Sequence, residues 1–262
     1  MIENSLNIFK EKLKNGIVLG PFMKSCDPAF VEAAGNAGCD FGILDMEHGP
    51  VGYEQLQNNI RGGEASGLLP IVRVDTLNAQ SVSKALDAGA AGVQIPQICT
   101  ASQAREAVRA ARFAPRGERG VCRFVRAARY SALAGERYYR QADHALLIIQ
   151  LEGQEALDNL DEILSVEGID IIFLGPYDLS QSLGLTGQIG HPAVVQRMME
   201  VVGKAREKGV TAGTFVDSRE ELYRWMRAGV KYISYSVDVG IFYEACVNLK
   251  KCAEDMAARL MV

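Results

Sequence analysis

Residues 43–50 read I-L-D-M-E-H-G-P: an apolar run closes on an aspartate, a glutamate and one of only three histidines in the chain. A continuous apolar run marks a strand buried on both faces, as in a parallel sheet covered by helices. The fold then turns on whether this run belongs to a series, and on where its polar end opens.

Working outward, the run begins at F-G-I-L-D-M (41–46) and has seven counterparts: I-V-L-G-P-F (17–22), L-P-I-V-R-V (69–74), G-V-Q-I-P (92–96), L-L-I-I-Q-L-E (146–152), I-I-F-L-G (171–175), T-A-G-T-F-V (211–216) and Y-I-S-Y-S-V (232–237). Each of the first seven strands is followed by helical apolar spacing, as in D-P-A-F-V-E-A-A-G-N-A-G, where Asp27 caps and Pro28 opens the first turn. Helices stop at Gly38, Gly67, Gly89, Gly168, Gly209 and Gly229, each just before a strand. Eight strand–helix units predict a (β/α)8 TIM barrel, since doubly wound sheets usually hold five or six strands. No low-complexity linker interrupts the chain, so residues 1–262 read as one α/β domain. Residues 3–14 predict an amphipathic helix capping the barrel's bottom. Residues 115–143, rich in Arg and Tyr, make a long crossing between the fourth and fifth strands, expected to serve as a lid or subunit contact.

Composition narrows the partners. The chain is 48% hydrophobic and 23% charged with net charge −4, which offers no electrostatic footprint for nucleic acid. No 18-residue apolar stretch predicts a membrane span. The N-terminus lacks the pattern of a secretion signal, and the six cysteines form no C-x-x-C pair, so reduced thiols and a cytoplasmic setting are expected.

Active sites of such barrels lie at the C-terminal ends of the strands. The polar residues there are Asp45, Glu47 and His48, Arg73, Gln94, Gln150 and Glu152, and Asp178. Glu152 and Asp178, on consecutive strands, suit a hard divalent ion completed by water and substrate; equally, they read as a helix cap and a turn former. Arg73, at a barrel mouth, requires an anion: a substrate oxygen or a neighbouring Asp. His48, with a carboxylate nearby to fix its tautomer, offers a general base, and alone it reads as structural. Joined to Arg73 and the two carboxylates, it reads as catalytic.

The segments L-D-M-E-H-G-P (44–50), V-R-V (72–74), V-Q-I-P-Q (93–97), A-R-E-A-V-R-A-A-R-F-A-P-R-G-E-R-G-V (104–121), Q-L-E (150–152) and V-E-G-I-D-I-I-F-L-G-P-Y-D-L-S-Q-S-L-G (166–184) resemble the HpcH/HpaI aldolases, a family of class II pyruvate aldolases. The likeness runs from about residue 4 to 258. It implies Glu152 and Asp178 as ligands of a divalent metal ion (Mg2+, Mn2+ or Co2+), with Asp178 and Gln150 also lining the pyruvate site. It implies Arg73 on the keto oxygen of pyruvate, His48 with Asp45 as an acid–base dyad, and Phe22 beside the aldehyde pocket. It further implies a homo-hexamer, a trimer of dimers, with a last helix exchanged between subunits and with Asp87 reaching a neighbour's site. Val51 stands where some members have asparagine, and Cys122–Arg123 replace a small Gly–Ser pair of the diacid aldolases, a change expected to bring a bulky cation near the mouth.

The expected reaction is reversible cleavage of a 4-hydroxy-2-oxo acid to pyruvate and an aldehyde, with stabilisation of the enolate left by the broken C–C bond. The alternatives are a malyl-CoA-type acyl-CoA lyase on the same barrel, a Schiff-base aldolase using Lys24, a sugar-phosphate isomerase and a non-catalytic binding barrel. His191 and His144 are expected to stand outside the chemistry, the former as a helix cap, and nothing beside Cys99 suggests an activated thiolate.

Overall fold

The computed structural model describes residues 2–260. Eight parallel strands, β1 (Val18–Met23), β2 (Phe41–Asp45), β3 (Leu69–Arg73), β4 (Gly92–Ile95), β5 (Leu146–Leu151), β6 (Ile171–Leu174), β7 (Thr211–Val216) and β8 (Tyr232–Val237), pair in sequence order into a closed barrel. The helices are α1 (Ile2–Asn15), α2 (Pro28–Asn36), α3 (Tyr53–Ser66), α4 (Ala79–Asp87), α5 (Ala101–Ala111), α6 (Gly135–Ala142), α7 (Gln154–Asp158), α8 (Leu160–Leu164), α9 (Pro176–Ser182), α10 (Pro192–Glu207), α11 (Arg219–Ala228) and α12 (Asp238–Leu260). The expected helix punctuation is present. Asp27 accepts from the Ala29 amide ahead of Pro28, and all six predicted stop glycines adopt positive φ.

Strand alternation sorts the core into two shells. Val18, Phe41, Ile43, Leu69, Ile71, Leu146, Ile148, Ile171, Phe173 and Tyr232 fill the barrel. Their alternates, such as Leu44, Val72, Val93, Leu147 and Ile172, face the surrounding helices. Amphipathic α1 closes the N-terminal end, where Leu6, Phe9 and Leu13 join the interior. The Phe9 ring meets Phe41 edge-on at 6.1 Å.

The crossing between β4 and β5 packs at that same N-terminal pole. Arg112 donates to the Ala145 carbonyl (2.8 Å) just before β5, and Arg126 donates to the Ala88 carbonyl (3.1 Å) just after α4. Arg123 is bonded within the crossing, to Ser131 Oγ at 3.1 Å. The expected lid, and with it the expected cation at the mouth, is therefore corrected: short arginine contacts hold this segment at the pole opposite the strand ends. A cavity of about 580 Å3 lies there, with Arg119, Arg126, Arg129 and Tyr138 in its wall. α12 is exposed from Val239 onward and shows Phe242, Leu249 and Met256 to solvent at a spacing of seven residues. No helix among the described residues is long and apolar enough to cross a membrane.

Candidate active site

The alternation that fills the barrel also aims the polar groups. Phe41 and Ile43 point inward, so Asp45 does; Leu69 and Ile71 lead to Arg73; Leu146 and Ile148 lead to Gln150 and then Glu152. The interior thus changes at its C-terminal end from a packed apolar plug to a polar floor. Asp45 is fully buried, and Gln94, Gln150, Arg73 and Glu152 are 8% exposed or less.

Asp45 and Arg73 occupy paired positions of β2 and β3. Arg73 Nε donates to Asp45 Oδ1 (2.9 Å) and Nη2 to Oδ2 (2.8 Å), a two-pronged contact matching a planar guanidinium to a carboxylate. Arg73 Nη1 lies 2.9 Å from Glu47 Oε2, an ion pair without hydrogen-bond alignment. The guanidinium also rests over the Phe22 ring, 4.7 Å from its centroid. Burial alone would raise the Asp45 carboxyl; the Arg73 bonds and charge, helped by the His48 amide and Lys24, outweigh it and hold the group below the usual carboxylate range.

The His48–Asp45 dyad, expected to act through water, has no direct side-chain bond here. Asp45 Oδ1 accepts from the backbone amides of Glu47 (3.1 Å) and His48 (3.2 Å), so the turn after β2 folds onto the carboxylate. The His48 side chain is left exposed at the rim. In-register pairing sets a guanidinium beside Asp45, and its charge-assisted bonds occupy both carboxylate oxygens.

A chain of amides positions Glu152. Gln94 Nε2 donates to Gln150 Oε1 (2.6 Å), Gln150 Nε2 donates to Glu152 Oε2, and the Gln97 amide donates to Glu152 Oε1 (2.8 Å). Gln97 holds the left-handed conformation, φ 57°, and its side chain also donates to Glu47 Oε1 (3.2 Å). One strained residue therefore ties two carboxylates together. Gly175 admits Glu152, since a Cβ there would lie 3.0 Å from Glu152 Oε2. Burial, opposed by the Gln150 bond and reinforced by the charges of Asp178 and Glu47, pushes the Glu152 carboxyl up to about 7. Burial likewise raises Glu47, against the pull of Arg73.

Asp178 stands exposed in the first turn of α9, behind Pro176. Glu152 and Asp178 fit a divalent cation by chemistry: both donors are oxygen, and their mutual repulsion, which lifts Glu152, is what a bound cation relieves. No group of three or more His, Cys, Asp or Glu ligands occurs among the described residues, so water and substrate must complete such a shell.

Of the residues expected from sequence, the fold gathers Asp45, Arg73, Gln150, Glu152 and Phe22, with Asp178 and His48 on the rim. Asp87 is at the other pole of its own barrel, where its Oδ1 accepts from Arg119 at 2.6 Å. His191 caps α10 through its Nδ1, and burial raises the Cys99 thiol. Two residues that hold the site in place were missed: Gln97 and Asp238. Asp238, buried at the end of β8, accepts from the Lys24 and Ser25 amides and anchors the turn after β1. The acid in S-V-D-V-G and the second glutamine of V-Q-I-P-Q were the available signals.

A family profile described as HpcH/HpaI aldolase/citrate lyase matches residues 19–245. The 2-keto-3-deoxy-L-rhamnonate aldolase of Escherichia coli K12 is 37% identical over 243 residues, spanning 91% of this chain and 90% of the relative. A crystal structure of an HpcH/HpaI aldolase/citrate lyase family protein from Burkholderia cenocepacia superposes with TM-score 0.88 at 32% identity, covering 95% of this chain and 99% of the other. The HpcH/HpaI aldolase of Desulfitobacterium hafniense gives 0.87 at 29% identity, covering 94% and 96%. The chain belongs to the HpcH/HpaI aldolase/citrate lyase family and is a carbon–carbon lyase built on a (β/α)8 barrel.

Proposed function

We propose that the protein is a divalent-metal-dependent aldolase that reversibly cleaves a 4-hydroxy-2-oxo acid to pyruvate and an aldehyde. The observation that carries this reading is a guanidinium, Arg73, clamped between Asp45 and Phe22 on the same barrel mouth as Glu152 and Asp178. The relative's name, a 2-keto-3-deoxy sugar-acid aldolase, supports the same substrate class.

Glu152 and Asp178 would hold the cation, which when bound supplies Lewis acidity toward the 2-oxo acid. Two bonds to Asp45 leave hydrogens on both Arg73 Nη atoms, and these donate to the oxygen that gains charge as the C–C bond breaks. Gln150, buried and held by Gln94, fixes Glu152 and lines the pyruvate side. His48 takes the 4-hydroxyl proton in cleavage, directly or through water, and returns it in synthesis. Asp45 serves by holding Arg73 and the backbone of the His48 turn in place.

The exposed Phe242, Leu249 and Met256 stripe of α12 supports an exchanged last helix in a homo-hexamer, with Asp87 and the neighbouring crossing facing a second barrel. Sedimentation of the wild type against a chain cut before Phe242 checks the assembly.

The test of function is pyruvate release from a panel of 4-hydroxy-2-oxo acids with varied tails. Chelator should abolish it, and Mg2+, Mn2+ or Co2+ should restore it. Release indifferent to chelator would overturn the metal-dependent reading.

A further inference from the structure

We propose, building on the aldolase reading, that Tyr177 and Asp217 select the electrophile, so that the partner aldehyde is small, uncharged and hydroxylated rather than a semialdehyde bearing a carboxylate. The groups assigned to pyruvate occupy the arc of the mouth from β2 round to β6. The incoming carbonyl must therefore approach from the remaining arc, past β7, β8 and β1.

That arc has an aromatic wall. Phe22, under the Arg73 guanidinium, lies 6.0 Å from Phe215, and Phe215 lies 6.0 Å from Tyr177, the residue before Asp178. Behind Phe22 stands Phe173, 6.1 Å away, closing the floor. The outer rim is anionic. The Tyr177 hydroxyl donates to Asp217 Oδ2 across the gap between the ends of β6 and β7, and the Asp217 amide meets Glu221 Oε2 at 3.5 Å. Two carboxylates thus stand together just beyond the wall. Lys24 is engaged elsewhere, its Nζ 3.8 Å from Asp45, while the charge of Arg224 offsets Glu221, so Asp217 is the carboxylate left to act on a tail.

A short aldehyde can lay its carbon chain on the aromatic wall and donate its hydroxyl to Asp217, because an ionised carboxylate retains several acceptor positions. A carboxylate tail would meet like charge instead. One such charge at about 4 Å in water costs a factor of roughly five. In synthesis the pyruvate methyl carbon loses a proton and bonds to the aldehyde carbon, whose oxygen gains a proton. Only the remainder of the aldehyde touches Tyr177 and Asp217.

The experiment compares kcat/KM for addition of pyruvate to glycolaldehyde and to succinic semialdehyde, using the full-length enzyme with Mn2+. The wild type should favour glycolaldehyde by about fivefold. Asp217→Asn should raise the semialdehyde value and lower the glycolaldehyde value, each severalfold, and Tyr177→Phe should weaken glycolaldehyde use through KM. A purely structural role would lower both substrates alike and leave their ratio unmoved, which would overturn the proposal. The wild type supplies an independent check, since the discrimination should shrink as salt is raised toward 1 M, and salt-independent discrimination would also overturn it. Wild-type exchange of the pyruvate methyl protons separates the two levels: absence of exchange sinks the aldolase reading itself, whereas exchange with an unmoved ratio sinks only the assignment of Tyr177 and Asp217.

Discussion

Arg73 and Asp45 end neighbouring strands at paired positions and join through bonds of 2.9 and 2.8 Å, with Asp45 fully buried. The acid neutralises the guanidinium and also fixes its direction, which sets Nη1 beside Glu47. Removing either partner has different consequences. Asp45→Ala strips the buried guanidinium of its two-pronged partner, leaving only the Glu47 ion pair, and should cost about 3 kcal/mol of stability, read as a lower denaturant midpoint. Arg73→Lys retains a positive charge but loses the two-pronged contact. It should fold and lose turnover by about a hundredfold or more, in keeping with the loss of an oxyanion donor.

The buried Glu152 carboxyl links pH to stability. Its folded value of about 7 exceeds the ordinary 4.5, so the folded state binds the extra proton between those limits. Its contribution is present in full below about pH 4.5 and is lost as pH rises toward 7. Relative to Glu152→Gln, the metal-free wild type should therefore lose on the order of 3 kcal/mol across that window. Saturating Mn2+, which binds the ionised form, should reduce the loss. Parallel urea titrations at several pH values check this, and identical pH profiles for the two proteins would refute it.

Gly175 tests the positioning of Glu152 without touching either proposed metal ligand. A Cβ there would come within 3.0 Å of Glu152 Oε2 and 3.1 Å of its Cβ. Gly175→Ala should displace the carboxylate by a few tenths of an ångström and weaken Mn2+ binding by about tenfold, as changes around metal ligands do. Calorimetric titration measures this directly, alongside a melting curve showing that the barrel remains folded.

His48 is exposed and joined to Asp45 only through its backbone amide. His48→Ala should leave stability within about 0.5 kcal/mol of wild type. It should slow aldol cleavage by about a hundredfold or more while slowing pyruvate methyl proton exchange less. Equal slowing of both reactions would remove the histidine from the hydroxyl proton transfer.

Much of this molecule is legible in one dimension. Apolar runs recur eight times, six of them preceded by a helix that ends at a left-handed glycine, and the period of two within each strand already determines that Asp45, Arg73, Gln150 and Glu152 share the interior with Ile43, Ile71 and Ile148. Those features are local: strand alternation and helix capping depend on residues a few positions apart. Partner choice is not. Nothing near Asp45 in sequence says that it binds Arg73, 28 residues away, rather than the imidazole three residues on. Only the register of β2 against β3 decides it. The Arg-rich crossing lies at the N-terminal pole because its contacts are with residues before β5 and at the ends of α3 and α4. The left-handed turn at Gln97 and the bond from Tyr177 to Asp217 likewise arise from closure of the barrel, which brings loops from separate strands onto one rim. The sequence determined which groups face the mouth, and the tertiary structure decided what each of them holds.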